Sequence, residues 1–269
     1  RVNLQEIVDV YSSLRITSQA LVSTLPTGWR HLTRAEHQQV LRLAFQQWGR
    51  PEEVQTDHDP VFINPQDPSF PSLFTLWLVG LEITHVLSRP HRPTDQAQIE
   101  RAHRTQGDFV WRDQAFEQIT QLQQALDEHC QLYNQAYPSQ AVHCQGRPPL
   151  LAFPSAVSSA RPYHPDLEWD LFDLQRVDAF LAQFAWTRKV AKNGIVFLGN
   201  HYYYLGKHLR GLSVSIRFLP NSRAFHFQRA DGETILDLPA QGLEKDHIIG
   251  SIPAHIPLKA GFQYALPRV

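Results

Sequence analysis

Methionine is absent from the 269-residue sequence, and cysteine occurs only twice, as Cys130 and Cys144. Two cysteines cannot form a disulfide framework, which agrees with a reducing compartment such as the cytoplasm. The lack of any methionine, including an initiator, predicts that the chain is a fragment. No apolar run approaches the about eighteen residues of a membrane span, and no signal peptide is evident, so we expect a soluble globular protein.

Charge is balanced over the whole chain but not along it. The formal net charge of -1 argues weakly against a nucleic-acid partner. Between Ala185 and Arg229, however, there is no Asp or Glu. Even about five phosphate contacts from such a block would give a steep salt dependence of binding. The cations of this block are Arg188, Lys189, Lys192, Lys207, Arg210, Arg217, Arg223 and Arg229.

Hydrophobic periodicity predicts alternating strands and helices in the first 150 residues. The runs 4–10 and 14–22 are rich in β-forming residues and predict a hairpin. Thr33 and Glu36 form a capping box before an amphipathic helix that ends at Gly49. The remaining predictions are a strand over 53–56 ending at Asp57, a helix over 72–80, a strand over 82–87, a helix capped by Thr94 that carries Glu100, and a helix from Asp113 that carries Phe116 to Tyr133.

The segment 148–165 is rich in proline and serine and predicts a domain boundary. Beyond it, a short acidic helix near 167–180 leads to strands separated by the turn sequences KNG, LGN, LPNS and ADG, which is typical of a small all-β barrel or sheet. The predicted divisions are an α/β core over 1–150, a linker with a short helix over 151–184, a small β-barrel over 185–245 and a tail over 246–269.

Two carboxylates stand where active-site groups often project. Asp57 follows a predicted strand, at the edge where side chains emerge from an α/β sheet. Glu100 lies in the first turns of the helix after the next strand. Carboxylate oxygens are ligands that Mg²⁺ prefers, and the ion keeps positions open for water and phosphate. One Asp and one Glu are a weak signal by themselves.

Basic side chains surround Glu100 in the segment RPHRPTDQAQIERAHRT at 89–105. Arg104 lies one helical turn beyond Glu100, so it could form a routine i,i+4 ion pair or contact phosphate. The loop before the helix is either solvated or binds anions at the helix N-terminus. The predicted DNA contacts are Arg89, Arg92, Arg101, His103 and Arg104 here, with Arg188, Lys189, Lys192, Lys207 and Arg210 in the basic block.

Three other features have a structural explanation beside a functional one. Asp59 is more often a turn residue than a ligand. The His-Cys pairs at 129–130 and 143–144 contain zinc ligand types, but adjacent helical residues point apart and Cys130 falls on an apolar stripe. The tyrosines 202–204 could stack on bases or sugars, but strand residues alternate between faces, so at least one is expected in the core.

The segments VQTDHDPVF at 54–62 and 89–105 resemble those around the second aspartate and the glutamate of DDE integrases and transposases. EIVDVYSSLRITSQAL resembles the strand pair of the same core, and YNQAYPSQAVHCQGRPPLLAF its helix end and exit. VAKNGIVFLGNHYYYLGKHLRG is similar to the small β-barrel of Mu-type transposases. The resemblance covers most of 2–242 and implies an α/β fold with an RNase H-like catalytic core, a mixed sheet flanked by helices, followed by the barrel.

The resemblance also implies an activity, a polynucleotidyl transferase that cleaves DNA at element ends and joins the freed 3′ end to target DNA. Asp57 would help hold two Mg²⁺ or Mn²⁺ ions and Glu100 one of them, so that the ions stabilise the attacking and leaving oxygens. The implied partners are DNA ends, target DNA and further copies of the chain, with a helper ATPase as another candidate. The implied location is the nucleoid in the cytoplasm.

The sequence departs from the family pattern in three places. The dipeptide after Asp57 is HD where NG is common, and the gap to Glu100 is longer than usual. The family's first catalytic aspartate would precede Arg1, and Asp9 matches a second-strand position that is better explained as fixing the next turn. The alternatives are therefore a fragment of an active enzyme, an inactive DNA-binding or assembly protein on the same fold, or an RNase H-like nuclease without strand transfer.

Overall fold

The structure is a computed structural model, and it describes residues 2–8, 15–22, 24–25, 28–29, 32–89, 97–112, 115–154 and 160–252. The chain divides into two units that do not follow sequence order. The first unit takes in residues 1–51, 88–165 and 253–269, and the second takes in residues 52–87 and 166–252. The predicted division at 1–150, 151–184, 185–245 and 246–269 stays a prediction.

A β-hairpin begins the first unit. β1 (Val2–Val8) pairs antiparallel with β2 (Arg15–Val22), which confirms the hairpin predicted from the two β-rich runs. Two short strands, β3 (Thr24–Leu25) and β4 (Gly28–Trp29), pair antiparallel after it.

The first helix of this unit, α1 (Arg34–Trp48), is confirmed with its capping box. The Thr33 backbone N–H donates to Glu36 Oε2 at 2.8 Å, and the Glu36 N–H donates to Thr33 Oγ1 at 3.4 Å. The helix ends at Gly49, whose φ of 80° lies in the region that favours glycine. The predicted apolar stripe is buried: Val40, Leu41, Ala44, Phe45 and Trp48.

The remaining helices of the first unit pack on its hairpin. α3 (Ala97–Gln106) lies beside β1 and continues into a π-helical turn, and α4 (Ile119–Gln135) lies beside β2 and the short α5 (Pro149–Ala152). The Gln118 N–H donates to Gln121 Oε1 at 3.2 Å, so α4 begins at this glutamine cap. Phe116 therefore precedes the helix that was predicted to carry it. The predicted caps Thr94 and Asp113 lie outside the described residues.

The second unit contains a parallel strand pair joined by a helix. β5 (Glu53–Thr56) pairs with β6 (Thr84–Leu87), and α2 (Leu73–Gly80) lies between them in the chain. Ser72 caps α2, because its Oγ accepts from the Thr75 N–H at 3.1 Å. These three predicted elements are confirmed.

The predicted acidic helix near 167–180 is two helices, α6 (Glu168–Leu171) and α7 (Leu174–Leu181). Phe172 is extended, at ψ 115°, and its ring is buried. Asp173 then caps α7 by accepting from the Gln175 N–H at 2.8 Å. Burial of an aromatic ring and a strong N-cap residue thus break the helix at this point.

A four-stranded antiparallel sheet forms most of the rest of the second unit. It consists of β7 (Ala185–Lys189), β10 (Ser213–Leu219), β11 (Ala224–Arg229) and β12 (Thr234–Pro239), in the order β12-β11-β10-β7. Among the described strands, β8 (Ile195–Leu198) and β9 (His201–Tyr204) pair only with each other, and α8 (Lys245–Ile249) follows the sheet.

Within the described residues this sheet does not close. β7 and β12 each pair with one neighbour only, and the β8–β9 hairpin joins neither of them. The predicted all-β barrel is thus found as an open sheet with a separate hairpin, whereas the mixed α/β character of the chain is confirmed. None of the described helices has the length and apolarity needed to cross a membrane.

Candidate functional site

Asp57 directly follows β5, at the carboxyl end of the parallel pair, and its side chain is exposed. Its Oδ1 accepts from the Asp59 backbone N–H at 3.0 Å, and Asp59 Oδ1 accepts from the Val61 N–H at 2.9 Å. These two successive Asx turns fix the backbone as the chain leaves the strand. Asp57 Oδ2 has no hydrogen-bond partner among the described residues, so one carboxylate oxygen remains available for a ligand.

A partly buried network of polar side chains holds the end of β5. Thr56 Oγ1 lies 2.9 Å from His85 Nε2 and donates to the Asp57 carbonyl at 3.1 Å. His85 Nδ1 lies 2.9 Å from Thr75 Oγ1, which lies 3.0 Å from Ser72 Oγ. The imidazole therefore connects the residue before Asp57 to the cap of α2.

The His85 ring is packed against aromatic side chains. Its centroid lies 5.4 Å from that of Phe74 and 6.5 Å from that of Phe62. Burial lowers the pKa of His85 from 6.5 to about 4, because the charged form would lose its hydration. The ring is neutral at physiological pH, so one nitrogen donates and the other accepts in this network.

Glu100 lies in the first turn of α3, in the first unit, and its side chain is exposed. The helix buries Ala102 and Gln106 and exposes Glu100, Arg101 and Arg104. Within the described residues Glu100 and Arg104 form no ion pair, so the i,i+4 alternative for Arg104 is not observed. Both side chains are open to solvent.

The other predicted contacts near Glu100 are partly outside the described residues. Arg89 and His103 are exposed, whereas Arg92 lies in the stretch 90–96, which is not described. The predicted role of these side chains in DNA binding stays a prediction.

The two carboxylates belong to different units, so their pairing at one metal site rests on the resemblance. Asp57 and Glu100 are exposed oxygen donors, which fit a hard divalent cation. Across the described ranges, no three His, Cys, Asp or Glu residues form a metal-binding group. Cys130 and Cys144 are both buried, and the burial of Cys130 agrees with its predicted place on an apolar stripe.

The basic block of 185–229 is partly neutralised by acids from outside it. Arg188 pairs with Asp67 at 2.5 Å, and Arg223 Nε donates to Asp178 Oδ2 at 3.0 Å. Arg229 pairs with Glu233. The other cations form no ion pair within the described residues and are exposed: Lys189, Lys192, Lys207, Arg210 and Arg217.

Arg188 is a structural residue in this fold, whatever else it contacts. It shares a strand face with the buried Trp186, and its Nη2 also lies 2.6 Å from Ser69 Oγ. Burial alone would raise the pKa of Asp67, but hydrogen bonds from Arg188, the Gly199 N–H and Ser69 outweigh it and hold that pKa below its usual range. The DNA contact predicted for Arg188 stays a prediction.

Four predicted DNA contacts lie together at one end of β7. The Gly211 N–H donates to the Val190 carbonyl at 3.0 Å, which joins the segment after Arg210 to the strand end after Lys189. The Gly206 N–H donates to the Gly194 carbonyl at 3.2 Å, which joins the segment before Lys207 to the turn after Lys192. We call this group the basic corner: Lys189, Lys192, Lys207 and Arg210.

The tyrosine triplet divides between two faces, as the strand period requires. Tyr203 is buried beside Phe225 and Phe227, and its hydroxyl accepts from the Gln241 N–H at 3.1 Å. Tyr202 is 69% exposed and Tyr204 is 59% exposed. The expectation that at least one tyrosine belongs to the core is confirmed.

Comparison with known proteins finds similarity to integrases over part of the chain. Residues 81–149 match the family model described as Integrase core domain. The match contains β6, α3 with Glu100 and α4, and it begins after Asp57. A structure of a simian T-cell lymphotropic virus intasome in complex with PP2A regulatory subunit B56 gamma is similar over 89% of this chain and 75% of that chain, at 14% identity and a TM-score of 0.40. A search of curated proteins gives no match.

His85 is the residue that the sequence did not reveal. Its hydrogen-bond partners Thr56 and Thr75 lie 29 and 10 positions away in the chain. A histidine in a short strand carries no pattern that predicts such partners. The sequence showed only hydroxyl residues at the end of the predicted strand, Thr56, and in the first turn of the predicted helix, Ser72 and Thr75.

Proposed function

We propose that this chain is the integrase or transposase part of a DNA-joining enzyme, which cleaves a DNA strand at an element end and transfers it to target DNA with divalent metal ions. The observation that carries the proposal is the integrase-core match over 81–149, which contains Glu100. It coincides with an independent structural feature, the exposed carboxylate of Asp57 at the carboxyl end of a parallel strand.

In this proposal Asp57 and Glu100 hold Mg²⁺ or Mn²⁺. Asp57 Oδ1 accepts from the Asp59 N–H, and Oδ2 has no partner among the described residues. The Asp57 carbonyl accepts from Thr56 Oγ1, so the backbone at this residue is also held. When bound, two ions would stabilise the attacking and leaving oxygens of an in-line displacement. The residues of this chain contribute ligands and fix their direction.

The basic corner supports DNA as the substrate. Its four cations are exposed and have no carboxylate partner within the described residues. Phosphate contacts of this kind position a protein on DNA without reading its sequence. Arg101 and Arg104, exposed on the helix of Glu100, would contact phosphate near the cleaved bond. We also propose self-association on paired DNA ends and a nucleoid location, which follow from this activity.

The experiment is strand transfer by the protein in its full reading frame, with labelled element-end DNA and Mg²⁺ or Mn²⁺. Joined products are expected from the wild type and should vanish in Asp57→Asn and Glu100→Gln, because an amide is a weaker metal ligand than a carboxylate. Glu53→Gln is the matched control, since Glu53 is an exposed acid at the other end of β5. Calorimetric titration with Mn²⁺ gives a second readout, in which only the first two variants should lose affinity.

A DNA-binding or assembly protein without catalysis is the second candidate, and the basic corner favours it because phosphate binding needs no metal. Binding without nicks or joints, unchanged by Asp57→Asn and Glu100→Gln, would establish this candidate in place of the enzyme. Nicks without joints that depend on both carboxylates would indicate a hydrolytic nuclease.

A further inference from the structure

Aromatic side chains cover one exposed face of the β8–β9 hairpin, and phosphate binding does not explain them. Ile195 is opposite Tyr204 and Phe197 is opposite Tyr202 in the strand register. Opposed residues project to the same side of a sheet, so these four side chains share one surface, which we call the aromatic face. The Phe197 and Tyr202 rings lie 5.2 Å apart.

The aromatic face does not hold the hairpin in place. The opposite face does so, because Val196, Leu198 and Tyr203 are buried there. The hydroxyls of Tyr202 and Tyr204 have no hydrogen-bond partner within the described residues. Both rings are therefore largely exposed to solvent, although the Tyr202 ring also packs against Phe197.

The basic corner adjoins the open end of the same hairpin. The Leu205 N–H and the Gly206 N–H both donate to the Gly194 carbonyl, at 2.8 and 3.2 Å. The strand pair that ends at Ile195 and Tyr204 therefore runs directly into the turns that carry Lys192 and Lys207. Lys192 and Lys207 are exposed and form no ion pair within the described residues, so unpaired positive charge lies beside the open end of the aromatic face.

Exposed aromatic rings next to unpaired cations form a surface that suits the binding of unpaired nucleic acid. Every base has a flat face that stacks on an aromatic ring, while its phosphate binds a nearby cation. Intact duplex DNA keeps its bases stacked and offers phosphates and groove edges instead. A second copy of this chain, docked through the same face about a two-fold axis, would bring like-charged corners together, which is unfavourable.

We propose that the aromatic face, through Tyr202 and Tyr204, stacks on unpaired bases of single-stranded DNA whose phosphates contact the basic corner. The two tyrosines lie two residues apart on one strand, about 6.6 Å along it, so they meet successive parts of one bound strand. The inference rests on the proposed function in taking DNA as the ligand, and it adds that the bound DNA is locally unpaired.

The test measures the affinity of the full chain for labelled single-stranded oligothymidine and for a blunt duplex of equal length, at one fixed salt concentration. Tyr202→Ala and Tyr204→Ala should each weaken single-strand binding by roughly 5- to 100-fold, as expected for loss of one stacked base. Duplex binding should change less than about 2-fold, because its phosphates still meet the basic corner. Tyr202→Phe and Tyr204→Phe are the matched controls and should retain affinity, since they keep the ring.

The outcomes separate this inference from the function on which it rests. If the wild type binds neither DNA, the proposed function and the inference both fail. If the wild type binds DNA and the alanine variants bind single strands as well as it does, only the inference fails. Loss of self-association in sedimentation, with unchanged DNA affinity, would identify the aromatic face as a contact between copies of the chain and would also overturn the inference.

Discussion

Replacement of His85 tests the network that fixes the strand end before Asp57. His85→Gln removes the titratable ring while keeping a polar side chain. The wild-type ring has its pKa lowered from 6.5 to about 4 by burial. An unfolded chain therefore binds a proton at this histidine between pH 6.5 and about 4, whereas the folded chain does not. The stability that the neutral ring supplies is present above pH 6.5 and is lost as the pH falls to about 4.

The magnitude follows from the two pKa values. One pKa unit corresponds to about 1.4 kcal/mol, so the difference between 6.5 and about 4 amounts to about 3 kcal/mol of unfolding free energy. At neutral pH the variant should be less stable than the wild type by about 1 to 2 kcal/mol, because two hydrogen bonds are weakened. The gap should close, and then reverse, as the solution is acidified.

Urea unfolding of both proteins across this pH range provides the assay, with the His85 ring followed by NMR titration. His58→Gln is the matched control, because His58 is an exposed histidine in the turn beside Asp57. The control should run parallel to the wild type. Parallel curves for His85→Gln as well, or a ring that titrates near 6.5, would refute the reasoning that the buried network excludes the proton.

Two further predictions each compare a buried or partly buried side chain with an exposed one of similar chemistry. Arg188→Gln should lower the unfolding free energy by about 3 kcal/mol, because it leaves the buried Asp67 carboxylate without its cation. Lys189→Gln should change stability by less than about 0.5 kcal/mol, but should lower the salt slope of DNA binding by about 1; equal losses of stability would contradict this assignment. Gln106→Leu should raise the melting temperature, since both amide atoms of Gln106 are buried without a hydrogen-bond partner among the described residues, and such burial costs about 1 to 3 kcal/mol. Gln135→Leu, at an exposed position at the end of α4, should leave the melting temperature no higher than that of the wild type. A lower melting temperature for Gln106→Leu would indicate that the Gln106 amide has a partner or a role.

Local signals predicted local structure well. The capping box at Thr33 fixed where α1 begins, because its hydrogen bonds involve residues three apart. Asp57 was correctly expected just after a strand, since the strand end and the following turn are both encoded nearby. The barrel was not found because turn sequences predict where strands end, but do not determine which strands pair across the sheet.

The alternation of side chains along β7 distinguishes Arg188 from Lys189. Strand side chains alternate, so Arg188 had to share a face with Trp186, the apolar residue of β7. That face is buried, and an arginine there requires a buried acid. Its partner Asp67 lies 121 positions away, and no local pattern identifies it. The number of cations in the basic block therefore exceeds the number that are unpaired in the structure, because acids distant in sequence neutralise some of them.

Asp67 also links the candidate carboxylate to the aromatic face. Its Oδ2 accepts from the Gly199 N–H at 3.0 Å, at the tight turn of the β8–β9 hairpin, while its Oδ1 binds Arg188 of β7. The chain between Asp57 and Asp67 begins with two Asx turns, so it is bonded at both ends. A DNA strand held on the hairpin would therefore be held by the same unit that fixes the direction of the Asp57 carboxylate. Such positioning is what a transfer reaction needs, because small errors in placement cost large factors in rate.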